Sequence, residues 1–157
     1  MVDDYFYLEP LIIGRLQSAL PDLPILSSKD LSTLQDRTQP NVAIHVMYAG
    51  DNIQDDAALR HSSLTGTNYH QQKVLQYWMI VLSIRNVRDG NTSTGTPLQL
   101  DAGQLLIAVI KALGGWKPDD ALDYLTRSKG NNSPTYHNGF AYYPLRFETF
   151  FITSTGD

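Results

Sequence analysis

Residues 74–87, VLQYWMIVLSIRNV, constrain the possible fold of this chain of 157 residues more than any other segment. Alternate side chains through Trp78, Ile80 and Leu82 are apolar, which is the period-two pattern of a β-strand. Residues 77–82 are apolar on both faces, so we predict a central strand that is covered on both sides.

A second long strand is predicted at residues 140–153, where Leu145, Phe147 and Phe151 share one face. Each of these two strands would extend for about 45 Å at the usual rise per residue. That length exceeds what one small core requires. We therefore predict that the protein assembles into a ring or another multimer through contacts between sheets.

Helices are predicted where apolar residues recur three and four positions apart, at 9–20 and 98–113. Pro21 ends the first helix, and the Gly114-Gly115 pair closes the second. Three shorter elements are also predicted: a weak strand with a turn within 25–39, a strand at 41–48, and a short third helix at 118–125.

The order of these elements predicts an α+β fold. Its sheet would be antiparallel with about four strands, and the two longer helices would pack on one face. A chain of this length buries roughly 70% of its unfolded surface on folding. We therefore expect residues 1–157 to form a single domain.

The composition excludes several classes of protein. The chain has no cysteine, which excludes disulfide frameworks, thiolate zinc sites and thiol catalysis. The net charge is −4 without a basic cluster, which argues against a dedicated nucleic-acid binder. No apolar run reaches the ~18 residues of a membrane-spanning helix, so no membrane partner is expected.

The acidic residues are unusual in kind, since only Glu9 and Glu148 among the 16 are glutamates. Aspartate favours caps and turns, because its short side chain bonds to nearby backbone groups. The negative charge is therefore predicted to lie mainly in loops and at the ends of elements.

No catalytic, cofactor or metal site is predicted, and we expect the protein not to be an enzyme. The segment DNIQDD (51–56) lacks the glycine and glutamate that a calcium loop requires at its sixth and twelfth positions. The histidines show no spacing typical of zinc ligands: His45, His61, His70 and His137. The aspartates of one short segment are expected to favour a helix N-terminus: Asp119, Asp120 and Asp123.

The ordered segments resemble the tail terminator proteins of long-tailed bacteriophages, especially those of contractile-tailed and Mu-like phages. The resemblance covers nearly the whole length. It rests on ALPDLP, QPNVAIHVMYAG, YWMIVLSIRNV, LLIAVIKALGGWKP and YYPLRFETFF in that order. The ALGGWKP and YPLRFET stretches within them are the most telling.

The resemblance implies a structural protein of the virion, assembled in the cytoplasm of the bacterial host. It would form a ring, expected to be a hexamer, on the last ring of tail-tube subunits, and so stop tail growth. The ring would then dock the head-completion proteins of the neck, with the sheath as a further candidate partner. DNA would only pass through the lumen, which suits an acidic chain because cationic walls would hold phosphate.

Two polar segments, 49–73 and 88–97, are expected under this resemblance to contact the tube or the neck. The candidate interface residues in them are Asp51, Asp55, Asp56, Arg60, Arg88 and Asp89. Arg146 lies on a strand in an apolar setting, and we expect it to pair with an acid at a subunit boundary.

Two other interpretations remain open at the level of sequence. One is a different neck or tail-completion component of similar size. The other, from a different class, is a small-ligand-binding or hydrolytic α+β domain with a pocket between helices and sheet. A pocket would require a polar constellation, and the sequence shows none.

Overall fold

The computed structural model describes residues 3–28, 39–54, 70–85, 96–130 and 132–155. Two helices lie in these ranges, α1 at Leu8–Ala19 and α2 at Thr96–Leu113. The strands are β1 at Ile25–Ser27, β2 at Val42–Gln54, β3 at His70–Arg85, β4 at Thr126–Arg127, β5 at Thr135–His137 and β6 at Phe140–Thr155. Neither of these helices is long and apolar enough to cross a membrane.

Helix α1 follows from the four-residue spacing of Leu8, Ile12 and Leu16, all of which are buried. Pro10 lies in its first turn, where a missing amide donor is tolerated. Helix α2 ends as the glycine pair predicts. The Gly114 amide donates to the Ile110 carbonyl at 2.8 Å, and Gly115 takes a positive φ of 75°.

The sheet has the strand order β1-β2-β3-β6-β4, and β5 pairs with one end of β6. Strand β3 is central, as predicted, and pairs antiparallel with β2 on one side and β6 on the other. Its 16 residues all pair with β6, from His70 opposite Thr155 to Arg85 opposite Phe140. Strand β1 pairs parallel with β2.

The core lies between the helices and one face of the sheet. Directly paired residues of neighbouring strands point to the same side of a sheet, which identifies the residues on that face. Ile44 pairs with Leu82, and Trp78 pairs with Phe147, so these residues share that face. Both helices contribute to the same buried cluster: Leu8, Ile12, Leu16, Ile44, Trp78, Ile80, Leu82, Val109, Leu113 and Phe147.

The α+β class is confirmed, but the predicted sheet is wrong in two respects. It has six strands where about four were predicted, and it is mixed where an antiparallel sheet was predicted. The additional strands β4 and β5 have two and three residues, too few to produce a periodic pattern. Strand β1 was predicted only as a weak strand, and nothing in three residues fixes its direction.

The predicted third helix at 118–125 is also wrong. Its backbone is instead tied to its neighbours by single bridges, Trp116 to Leu125 and Leu122 to Phe151. The Gly115 amide donates to the Leu125 carbonyl, and the Leu125 amide to the Trp116 carbonyl, each at 2.8 Å. These bonds satisfy the backbone without helical turns.

Candidate assembly surfaces

The predicted 49–73 loop is much shorter than expected, because both flanking strands extend into it. Strand β2 continues to Gln54 and β3 already begins at His70. A bulge after Tyr48 inserts one extra residue, and Gly50 there takes a φ of 101°, which favours glycine. Beyond the bulge, residues 51–54 are all exposed although they remain paired with β3.

We call this part of the sheet the open end; it comprises residues 51–54, 70–73 and 152–155. Two isoleucines are exposed here, Ile53 at 56% and Ile152 at 46%. Ile53 pairs with Val74 and Ile152 with Lys73, so the two point to opposite faces of the sheet. Paired backbone with exposed side chains, as at residues 51–54 and 152, is a surface suited to contact with another protein.

Three exposed aromatic residues lie beside the open end, and we call Tyr5, Phe6 and Tyr48 the aromatic patch. Their exposed fractions are 37%, 48% and 37%. The rings of Phe6 and Tyr48 meet edge to face at 5.3 Å between centroids, and those of Tyr5 and Tyr48 at 6.2 Å. Exposed aromatic clusters are typical of protein interfaces.

Buried polar groups hold the aromatic patch in place. The Gln76 side-chain amide donates to the Tyr5 carbonyl at 2.9 Å, and its oxygen accepts from the Trp78 indole at 2.9 Å. Gln76 is almost fully buried, so each of its polar atoms needs such a partner. These hydrogen bonds therefore hold the Tyr5 backbone of the patch against the sheet in the folded chain.

Asp51 lies next to this patch, and its carboxylate accepts a hydrogen bond from the Tyr5 hydroxyl. The sequence predicted Asp51 as an interface residue within a loop; the structure places it instead on β2, directly after the bulge. Tyr5, Phe6 and Tyr48 were not among the interface residues predicted from the sequence. One feature of the sequence could have indicated the exposure of the first two: Tyr5 and Phe6 come before the buried residues of α1, which begin at Leu8.

Arg146 lies on the face of the sheet away from the helices, because it pairs with Met79. Its guanidinium carbon is 4.0 Å from the centroid of the Tyr77 ring, a cation–π contact. The Nε atom is buried without a hydrogen-bond partner. Within the described ranges Arg146 forms no ion pair, so its pairing with an acid of another subunit stays a prediction.

The opposite edge of the sheet carries exposed cations. Arg127 of β4 and Lys129, two residues later, are both exposed, and residues 126–130 include no acid. The Ser128 amide between them donates to the Arg146 carbonyl at 2.9 Å, which anchors this segment to β6.

The remaining candidate interface residues, Asp55, Asp56, Arg60, Arg88 and Asp89, lie outside the described residues. Within the described ranges no group of three or more His, Asp or Glu side chains is placed to share a metal ion.

His45 is buried on the face of the sheet away from the helices. Its Nε2 lies 2.9 Å from the Ser83 hydroxyl oxygen, and its Nδ1 is buried without a partner. The Ser83 hydroxyl donates to the Ala43 carbonyl at 3.3 Å, so the Nε2–H of His45 donates to Ser83. Burial lowers the pKa of His45, which keeps the ring neutral.

Tyr7 and Asp119 form the other perturbed pair. The Tyr7 hydroxyl donates to the Asp119 carboxylate at 2.5 Å, and the Ala121 amide donates to the same side chain at 2.9 Å. The bond from Tyr7 lowers the pKa of Asp119 and raises that of Tyr7. The Tyr7–Asp119 and His45–Ser83 pairs each join separate segments of the fold. A structural role therefore accounts for both pairs.

Comparison with curated proteins gives no match. The family model described as phage tail terminator protein matches residues 1–156 of the chain. This is a family of phage structural proteins, and the match confirms the resemblance of the ordered sequence segments. The chain belongs to the phage tail terminator family.

Proposed function

We propose that this protein caps the phage tail tube as a ring, a hexamer, which ends tube polymerisation and provides the surface for head–tail joining. The observation that carries the proposal is the family match over residues 1–156. The protein acts in this proposal as a single domain of the virion tail, assembled in the cytoplasm of the bacterial host.

The length of β3 supports a role between two partners. Its 16 residues extend for about 54 Å at the rise of an antiparallel strand. The segment 55–69 joins the chain at one end of β3 and the segment 86–95 at the other. A terminator must contact the tube on one side and the neck on the other.

The proposed tube or neck contacts lie on the two polar segments 49–73 and 88–97 of the sequence. Asp51, Asp55, Asp56 and Arg60 belong to the first, and Arg88 and Asp89 belong to the second. The sheath is a further candidate partner. DNA passes through the lumen, where an acidic protein would not hold phosphate.

The aromatic patch supports assembly over an isolated monomer. Three fixed, exposed aromatic side chains beside paired but exposed strands offer the rigid apolar area that interfaces use. A closed ring needs two different surfaces on each subunit, since each copy docks its first surface onto the second surface of the next.

The direct test adds the purified protein to tail-tube protein while it polymerises, and measures tube lengths by negative-stain microscopy. We expect shorter tubes with a ring at one end. Unchanged tube lengths would refute termination. Rings that bind finished tubes or necks without changing tube length would indicate a different neck or tail-completion component.

A further inference from the structure

We propose that neighbouring copies in the ring meet through opposite edges of the sheet, with the acidic aromatic patch of one copy against the Arg127–Lys129 segment of the next. This inference rests on the ring of the proposed function. It names the two surfaces that the ring requires and commits to a second copy of this chain as the partner.

The two surfaces lie in the same transverse row of the sheet. Tyr48 pairs with Trp78, Trp78 with Phe147, and Phe147 with Arg127. Directly paired residues point to the same face, so Tyr48 and Arg127 lie on one face at opposite edges. Copies related by rotation about an axis parallel to the strands would bring these two positions to the same level.

The two surfaces carry opposite charge. Residues 3–6 and 48–54, which form the patch and the adjoining part of β2, contain Asp3, Asp4 and Asp51 and no cation. Residues 126–130 contain Arg127 and Lys129 and no acid. All five charged residues are exposed. Complementary charges steer association and fix which surfaces meet.

Among the described residues, no strand covers the edge of β2 beside the patch. Strand β1 pairs only with residues 44–46 of β2, and no other described strand lies on that side. From Met47 onward, the outward backbone groups of β2 therefore have no described strand partner. An edge of this kind readily accepts a segment from another chain.

The two surfaces are different, so the contact is head-to-tail. Contacts of this type close into a ring when the rotation between neighbours permits, whereas a self-complementary patch would stop at a dimer. The aromatic rings supply the apolar centre of the contact, and the charges lie at its rim.

The absence of cysteine allows a clean cross-linking test. Asn52 and Thr126 are exposed strand residues on the face away from the helices, one at each edge. Chains carrying Asn52→Cys and Thr126→Cys are mixed and treated with a short bis-maleimide, both free at high concentration and on tube ends. We expect dimers of the two different variants, and a ladder of oligomers from the chain that carries both cysteines.

The matched control replaces Asn52→Cys by Gln17→Cys, an exposed position on α1. It should give no more than a tenth of the cross-linked product. Equal yields from both pairs, or no product from Asn52→Cys with Thr126→Cys in either setting, would overturn the proposed contact.

Charge reversal provides a second test. The pair Arg127→Glu and Lys129→Glu should weaken association roughly tenfold, because like charges then face each other. Asp3→Lys with Asp4→Lys should do the same, and a chain with all four changes should associate again. Asp22→Lys with Lys111→Glu changes exposed charges elsewhere and should have no effect. Failure of the fourfold variant to recover association would contradict the pairing.

Failure of this contact can be told apart from failure of the proposed function. If the wild-type protein shortens tubes but the cross-link does not form on their ends, the contact is wrong and the function stands. If the cross-link forms in solution but tube lengths do not change, the contact stands and termination is wrong.

Discussion

The same three long strands build two regions of opposite character. In the covered region, which comprises residues 42–47 of β2, Ile44 and Val46 face the helices and are fully buried. At the open end, residues 51–54 of the same strand are all exposed. Hydrogen bonding to β3 continues through both regions, so the core does not determine strand length. The extra length instead leaves exposed side chains on paired strands.

The largest predicted difference between the two regions is at two isoleucines of β2. Ile44→Ala removes a fully buried side chain and should cost about 2–5 kcal/mol of unfolding free energy through lost burial and a cavity. Ile53→Ala removes a side chain that is 56% exposed and should change stability by less than about 0.5 kcal/mol. Urea denaturation measures both. Similar losses would mean that the open end is not distinct from the core.

The boundary between the regions depends on Gln76. Gln76→Met keeps the length of the side chain but leaves the Tyr5 carbonyl and the Trp78 indole without their partner. We expect a loss of about 1–3 kcal/mol and an altered near-ultraviolet circular dichroism spectrum. Gln72→Met, at an exposed position of the same strand, is the control and should leave both unchanged. An unchanged spectrum in Gln76→Met would show that the patch does not depend on this bridge.

The covered region should also respond to pH through His45. Its pKa is lowered by burial, so the unfolded chain binds a proton at about pH 6.5 while the folded chain does not. Stability should be constant above that pH and fall below it, by at most about 1.4 kcal/mol per pH unit.

Denaturation midpoints measured from about pH 8 to about pH 5 test this, because that range includes the ordinary pKa of histidine. His45→Gln should flatten the dependence, and His137→Gln, at an exposed position, should not. A wild-type profile that stays flat over this range would show that protonation of His45 is not coupled to unfolding.

The smallest effect is expected from loss of the hydrogen bond between Tyr7, just before α1, and Asp119. Tyr7→Phe removes the hydroxyl that donates to Asp119, so the pKa of Asp119 should rise toward its ordinary value. Because that pKa is lowered in the folded state, the wild-type bond stabilises the fold above the ordinary aspartate range and is lost in stronger acid. An NMR titration of the carboxyl carbon measures the shift. Tyr124→Phe is the control, and an unshifted Asp119 in Tyr7→Phe would contradict the assignment.

The sequence predicts the covered region well and the open end poorly. Strands β3 and β6 are visible because apolar side chains alternate over their covered parts. The segments DNIQ and HQQK continue β2 and begin β3, but their side chains are polar except for Ile53. Backbone pairing forms these parts of the strands, and that pairing depends on a neighbouring strand distant in sequence.

The same reasoning explains the other errors. Pro118 and Asp119 are residue types that commonly begin a helix. Instead, Leu125 forms a β-bridge with Trp116, and Leu122 forms one with Phe151. Asp51 as an interface residue stays a prediction, and its hydrogen-bond partner Tyr5 is 46 residues away in sequence. Contacts over such distances follow from the tertiary fold, which local patterns do not specify.

The central claim is that the aromatic patch allows the protein to stop tube growth. The most direct measurement compares tube lengths in the presence of wild-type protein, Phe6→Ser with Tyr48→Ser, and a control with Ile107→Ser and Tyr124→Ser. The control removes side chains that are 51% and 56% exposed, outside the patch. We predict that the wild type and the control shorten tubes and the patch variant does not. Equal shortening by all three would contradict the claim.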